Sequence, residues 1–292
     1  MSETLPKPVI ATKIRTPLGE FWRRFRKQHI ALIAGGIILL IILAAVFAPF
    51  VAPFDPVAPD YDNILEGSSA LHWLGTDAYG RDLLSRIIWG GRVSLTVGFL
   101  SVALGAGVGV VIGLISGFFG GWIDGVLMRL MDVLLAFPGI ILAIGVVALL
   151  GPGIDNVIYA IAVFSVPVFS RLVRGSTLAL KQSLYVQAAR SIGVKAPMLM
   201  LRHILPGAMP GVIVYASLRL GTSILTAASL SFIGLGARPP SAEWGAMLAD
   251  GRSFLGVADH LTLFPGLAIF VIVLAFNVFG DGLRDALDQK LR

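Results

Sequence analysis

The chain has 292 residues, of which 56% are hydrophobic and 14% charged, with a mean hydropathy of +0.86 and a formal net charge of +6. Soluble domains carry roughly 25% charged residues, so a water-soluble fold could not hide this much apolar surface. Cysteine is absent, which excludes disulfides, thiolate metal sites and cysteine nucleophiles. The cations sit at the ends of apolar runs, where topology and anionic headgroups account for them better than nucleic acid does.

Residues 1–29 form a basic arm carrying Lys7, Lys13, Arg15, Arg23, Arg24, Arg26 and Lys27. The apolar run that follows is too long for a secretory signal and has no A-x-A cleavage pattern, so a retained membrane anchor is expected. Runs able to span a bilayer fall near 30–51, 93–117, 129–150, 155–173, 208–234 and 262–281. The expected fold is therefore an all-α polytopic membrane protein with six transmembrane helices, one set apart and five closely spaced. A polar stretch, 52–92, separates the first span from the 93–281 core, and 282–292 form a tail.

With the N-terminus inside, the inner segments hold sixteen Lys and Arg: the seven of the arm, then Arg171, Arg174, Lys181, Arg190, Lys195 and Arg202, and finally Arg284, Lys290 and Arg292. The outer segments hold five, Arg81, Arg86, Arg92, Arg238 and Arg252. Positive loops stay in the cytoplasm, so both termini are expected there.

The outer stretch opens with Pro53, Pro56 and Pro59 and passes through Gly-Thr-Asp-Ala-Tyr-Gly-Arg-Asp at 75–82, a polar loop. From Asp82 onward, Leu83, Leu84, Ile87 and Ile88 recur at helical spacing beside polar residues, which predicts an amphipathic helix at the outer interface. In the second span Gly105, Gly109, Gly113 and Gly117 stand four apart, so one helix face lacks side chains and admits a neighbouring backbone. That face is read first as packing and second as a moving contact. Pro138, Pro167 and Pro210 permit kinks.

No Gly-x-x-x-x-Gly-Lys-Ser/Thr is present, so the chain has no P-loop to cradle nucleotide phosphates. His29, His72, His203 and His260 are too scattered for a metal cluster. Ser223 and Ser229 have no in-span His beside them, which leaves a membrane-embedded hydrolase without a base. Arg129 and Asp132, three apart, are expected to neutralise each other. Arg219 lies too deep in the fifth span to snorkel; with Ser223 it either lines a substrate path or makes a structural pair. The spans hold almost no carboxylates for a proton or sodium relay, so the driving energy is expected to enter through another protein.

The longest cytoplasmic loop, 174–206, offers the contact. Its segment Gln187, Ala188, Ala189, Arg190, Ser191, Ile192, Gly193 reads as a short helix broken at Gly193, with Val186, Ala189 and Ile192/Gly193 on one face able to enter a partner's groove.

Ala188-Ala189, Gly193 and the later Leu205-Pro206 resemble the EAA loop of ABC importer permeases, with Gln187 where a Glu is usual and His203 at a position usually apolar. Leu74-Gly75-Thr76-Asp77, Gly80-Arg81-Asp82 and Ser85-Arg86 resemble the outer loop of the dipeptide, oligopeptide and nickel permease group. Leu230-Ser231-Phe232-Ile233-Gly234-Leu235-Gly236, Pro239-Pro240, Glu243-Trp244-Gly245 and Gly280-Asp281-Gly282 extend the match to its C-type subunits, glutathione and dipeptide permeases in particular.

The resemblance implies a type I ABC importer permease fold in a bacterial inner membrane. It further implies a homologous second permease subunit, two ATPase subunits supplying ATP and Mg sites, and an extracytoplasmic substrate-binding protein. The Gln187–Gly193 loop would then touch the ATPase, and Asp77, Arg81, Asp82, Glu243 and Trp244 become candidates for contact with the binding protein. A nickel-complex importer of the same group and an ATP-independent channel remain as alternative readings.

Overall fold

The computed structural model describes residues 17–287, and within them the chain is built from helices. Lys7, Lys13, Arg15, Lys290 and Arg292, which entered the topology count, lie outside the described residues. Five helices are long and apolar enough to cross a membrane, and the count is six if one pair bent by 92° is a single broken span.

After a short helix α1 (Pro17–Phe25), α2 (His29–Val46) runs through an unbroken apolar stretch until Pro49, and the single turn α3 (Ala48–Val51) follows. The buried face of α2 is small, with Ala31, Ala34, Ile38 and Ala45 at helical spacing, while Ile30, Ile33, Leu39, Leu40 and Leu43 look outward. An apolar side chain pointing out of the protein is the pattern that lipid demands and water forbids.

Helix α4 (Leu83–Phe119) departs from expectation. The amphipathic segment after Asp82 and the span beginning at Val93 are one uninterrupted helix of 37 residues. At 1.5 Å per residue it reaches about 55 Å, well beyond a hydrocarbon core of about 30 Å. Gly90 and Gly91 do not break it, because both serve packing: a Cβ at Gly90 would strike the Ala242 carbonyl, and one at Gly91 would crowd the Trp244 indole.

The third span, expected over 129–150, starts earlier, at Gly121, and is broken at its proline. Helix α5 (Gly121–Leu135) stops and α6 (Gly139–Leu150) departs at 92°, because Pro138 lacks an N–H and pushes Phe137 out of the helical region. Helix α7 (Ile154–Lys181) then packs along α4. The stripe Gly105, Gly109, Gly113 and Gly117 is buried there, and a Cβ at any of the four would fall inside contact distance of Ser165, Phe169, Ser170 or Thr177. This is the packing face read from the sequence.

The chain continues through α8 (Leu184–Ser191), α9 (Ala196–Met198) and a π-helical turn, Leu199–Ile204, into α10 (Leu205–Phe232). Helix α11 (Trp244–Gly251) and the closing span α12 (His260–Leu287) complete the fold. One core joins α2, α4, α7, α8, α10 and α12, with Phe169, Ile204 and Ile272 among its fully buried side chains.

Candidate functional site

At one end of the bundle the loop between α7 and α10 folds into an elbow. Ser183 starts α8 in an extended conformation, and Gln187 Nε2 donates to the Gln182 carbonyl at 2.9 Å. A glutamate has no donor for that carbonyl, so the replacement of the usual acid here closes the end of α7. The helix ends in a Schellman motif: Gly193 N–H donates to Arg190 O at 3.0 Å and Val194 N–H to Ala189 O at 3.1 Å, with Gly193 at φ +83°. Only glycine takes that conformation without strain.

The elbow presents a different face from the one expected. Val186 and Ala189 are buried in the chain's own core with Leu199 and Ile204, and Tyr185 Oη donates to His203 O at 3.1 Å. Those contacts fix α8 to the start of α10. The outward stripe is Leu184, Ala188 and Ile192, four apart, with Leu184 84% and Ile192 81% exposed. Periodicity found the helix but could not say which of its two apolar edges the chain itself would cover.

Two cations bind the elbow to the end of α4. Lys181 Nζ donates to Phe118 O at 2.5 Å, and the Arg190 guanidinium lies 5.7 Å from the Phe118 ring centroid. Nearby, Arg174 grips Asp124 through two bonds of 2.6 Å, and Ser116 also donates to that carboxylate. This α4–α5–α7 junction was not anticipated; its signal was an Asp in the first turn of a helix beginning beside a basic loop. The expected Arg129–Asp132 pair does not form: Asp132 is held by Arg171 at 2.5 Å, a partner 39 residues away on α7. Local spacing favoured the i, i+3 neighbour, and helix packing supplied a better-placed guanidinium.

In the middle of α10, Arg219 lies over the Phe164 ring at 4.3 Å. Its Nε donates to Ser165 Oγ at 3.3 Å and its Nη1 to Thr222 Oγ1 at 3.4 Å, and no carboxylate stands within ion-pairing distance of it among the described residues. The carboxylate partner that the sequence reading allowed for is therefore absent among the described residues. Ser223 belongs elsewhere: it is 0% exposed and faces the core, so it does not share the open side of Arg219. That side carries Thr222, Thr226 and Ser229, at intervals of three and four from Arg219. Their hydroxyls donate to carbonyls of their own helix. A polar stripe at helical spacing in an otherwise apolar span was the available sign.

At the opposite end the polar loop 53–82 is latched shut. Asp77 accepts from Arg81 Nε at 2.7 Å and from the backbone N–H groups of Tyr79 and Arg81, and lies 3.4 Å from Arg86 Nε. Asp82 caps α4 by accepting from Ser85 N–H at 2.8 Å and meets His72 Nδ1 at 3.0 Å. Glu243 caps α11 through Ala246 N–H at 2.9 Å and accepts from Ser94 Oγ at 3.2 Å, while Trp244 Nε1 donates to Ile87 O at 2.9 Å. Asp60, on the loop surface, is held below the ordinary carboxylate range, first by the Asn63 amide at 2.8 Å and then by the Asp62 N–H.

All five residues expected to meet a binding protein, Asp77, Arg81, Asp82, Glu243 and Trp244, are thus buried and occupied within the chain. Asp77, Asp82, Glu243 and Trp244 so placed offer no docking surface, which corrects that expectation for them, while Arg81 also lines a cleft with Tyr61, Tyr79 and Arg252. Charged residues in a polar loop look alike in sequence whether they face water or one another. The exposed aromatic residues around them are Tyr61, Trp73 and Tyr79.

Residues 109–292 match the family of binding-protein-dependent transport system inner membrane components. The chain belongs to that family. Its residues 16–67 also match the N-terminal transmembrane domain of oligopeptide transport permease C. The permease is 54% identical to the glutathione transport system permease protein GsiD of Escherichia coli O6:K15:H31 over 96% of this chain and 93% of the relative. It is also 54% identical to GsiD of Pectobacterium atrosepticum, over 98% and 95%.

Among solved structures, the inward-facing MetNI methionine ABC transporter aligns with a TM-score of 0.57 at 20% identity, covering 71% of this chain and 97% of that one. An amino acid ABC transporter aligns at 0.52 and 20%, covering 67% and 91%. These likenesses establish the fold, that of a type I ABC importer permease. The chain is an inner-membrane permease component of an ABC importer.

Proposed function

We propose that this permease forms half of the translocation path of an ATP-driven importer for small peptides, glutathione among them. The observation that carries the reading is the capped elbow at Gly193, whose open stripe Leu184, Ala188 and Ile192 has no partner within the chain's own core. We place that stripe in a groove of an ATPase subunit that holds ATP and Mg, consistent with the lack of a P-loop in this sequence. A second, homologous permease subunit faces the polar stripe Arg219, Thr222, Thr226 and Ser229. Hydroxyls and a cation on the open side of a span are costly against lipid and inexpensive against a watery lumen.

Both termini face the cytoplasm in this reading, on the Lys and Arg count. The binding protein docks at the outer cleft of about 680 Å³ lined by Tyr61, Tyr79, Pro239, Pro240 and Arg252. The cargo assignment follows the glutathione permeases named above and the fixed cation at Arg219, which suits carboxylate-bearing peptides.

The test is purification of the assembly through this chain, followed by reconstitution in vesicles with its co-purifying partners. ATP-dependent uptake of labelled glutathione or dipeptide is expected. Uptake that proceeds without ATP would mark a channel, and uptake of nickel complexes with exclusion of peptides would reject the cargo.

A further inference from the structure

Helix α1 lies across the end of α12 rather than leaving the protein. Phe25 is buried, its ring meets Phe279 edge-on at 5.7 Å, and Ala31, Leu283 and Ala286 complete the contact. On the outward side Trp22 is half exposed, and the Arg26 guanidinium lies 5.1 Å from its ring centroid. Between α1, the first residues of α2 and the last turn of α12 opens a cleft of about 900 Å³, lined by Arg23, Arg24, Lys27 and His29 with Gln28 and Asp285. Inside it Gln28 Nε2 donates to Asp285 Oδ2 at 3.2 Å.

Three features specify the occupant. Arg23 and Lys27 alone outnumber the one lining carboxylate, and that carboxylate already accepts a bond, so the cleft selects an anion and offers little to an ammonium group. The cleft sits where one span begins, at His29, and another ends, near Leu287, which is a membrane–water boundary whichever way the chain is oriented. Directly beyond it Ile30, Ile33, Ile37 and Leu40 form an exposed apolar track along α2, spaced by three and four residues. Headgroup chemistry and acyl-chain chemistry are therefore contiguous, through Ile30, which lines the cleft and begins the track.

We propose that this cleft binds an anionic phospholipid of the cytoplasmic leaflet. Its phosphate lies among Arg23, Arg24 and Lys27, and its acyl chains follow Ile30, Ile33, Ile37 and Leu40. The lipid fastens α1 to the ends of α2 and α12, so that the basic arm acts as a ligand-binding element as well as a topology signal. The choice of leaflet rests on the cytoplasmic N-terminus of the proposed function; the inference does not depend on the cargo or on the energy source.

The experiment uses the complex purified through the full chain and placed in nanodiscs of phosphatidylcholine with increasing phosphatidylglycerol, with retained lipid read by native mass spectrometry. The wild-type complex should hold phosphatidylglycerol in preference to phosphatidylcholine. The double variant R23Q/K27Q should lose that retention by roughly ten-fold or more. The charge-preserving R23K/K27R should keep it, and all three should melt alike in pure phosphatidylcholine. Millimolar inorganic phosphate should not displace the lipid.

Equal retention by wild type and R23Q/K27Q overturns the proposal. So does displacement by inorganic phosphate, which would mark a soluble-anion site, and so does loss of an ATPase subunit from the variant with lipid retention unchanged, which would mark a protein surface.

Discussion

In the proposed function Arg219 and Gly193 would contribute by two different physical routes, charge and backbone conformation. Arg219 acts by charge: it is braced by Phe164 and Ser165 and has no carboxylate to neutralise it among the described residues. Arg219→Ala removes a charge-assisted contact, typically about 1.5–3 kcal/mol. Uptake of peptides carrying an extra carboxylate should then fall by roughly ten-fold or more relative to neutral ones, with Arg219→Lys intermediate. An equal loss for both cargoes would assign Arg219 to structure. Gly193 acts by conformation. Open space surrounds the position a Cβ would take, so a substitution there costs only the strain of φ +83°, about 1–2 kcal/mol. Gly193→Val should therefore leave insertion intact while abolishing substrate-stimulated ATP hydrolysis, and Gly193→Asn should retain most of it. Full stimulation in the valine variant would remove the elbow from the coupling mechanism.

At the scale of elements, the α4–α7 contact and the outer latch respond to substitution in opposite ways. A leucine at Gly113 must push apart two backbones, since its Cβ already overlaps the Ser170 carbonyl; overpacking of this kind costs about 1–3 kcal/mol and should lower the melting temperature of the purified protein. Asp77→Ala instead leaves Arg81 and the 2% exposed Arg86 uncompensated, a loss of about 3–5 kcal/mol on the usual scale for broken buried pairs. Unchanged melting in either variant would contradict the contact concerned. The glycine stripe was legible because four-residue spacing has one geometric meaning in a helix. The latch was legible only as a polar loop, since Asp77 is satisfied by Arg81 and Arg86, and Asp82 by Ser85 and His72, through folded geometry that spacing does not encode. The continuity of α4 was hidden for a related reason: the amphipathic pattern after Asp82 reads as an interfacial helix until the Glu243 and Trp244 contacts to Ser94 and Ile87 are seen to cover that segment. For the elbow, the helix and its glycine stop were readable, and the choice of its exposed edge was made by Leu199 and Ile204.

For the molecule as a whole, hydropathy located the five long apolar helices, while its third run, 129–150, falls on a pair of helices bent by 92° at Pro138 that it did not reveal. Orientation can be checked directly, since the chain contains no cysteine. Tyr79 and Ile192 are both exposed and lie at the outer loop and the elbow, so Tyr79→Cys should react with a membrane-impermeant maleimide on intact spheroplasts and Ile192→Cys only after lysis. The reverse pattern would invert the topology and remove the elbow from the cytoplasm. Helix α4 connects these two places without a joint: Asp82 caps it within the outer latch, and Lys181 holds its far end at Phe118 beside the elbow. A strut of that kind cannot store slack. Displacement at either tip must arrive at the other, so in the importer proposed above, events at the latch and at the elbow would share a single stroke instead of following each other by relay.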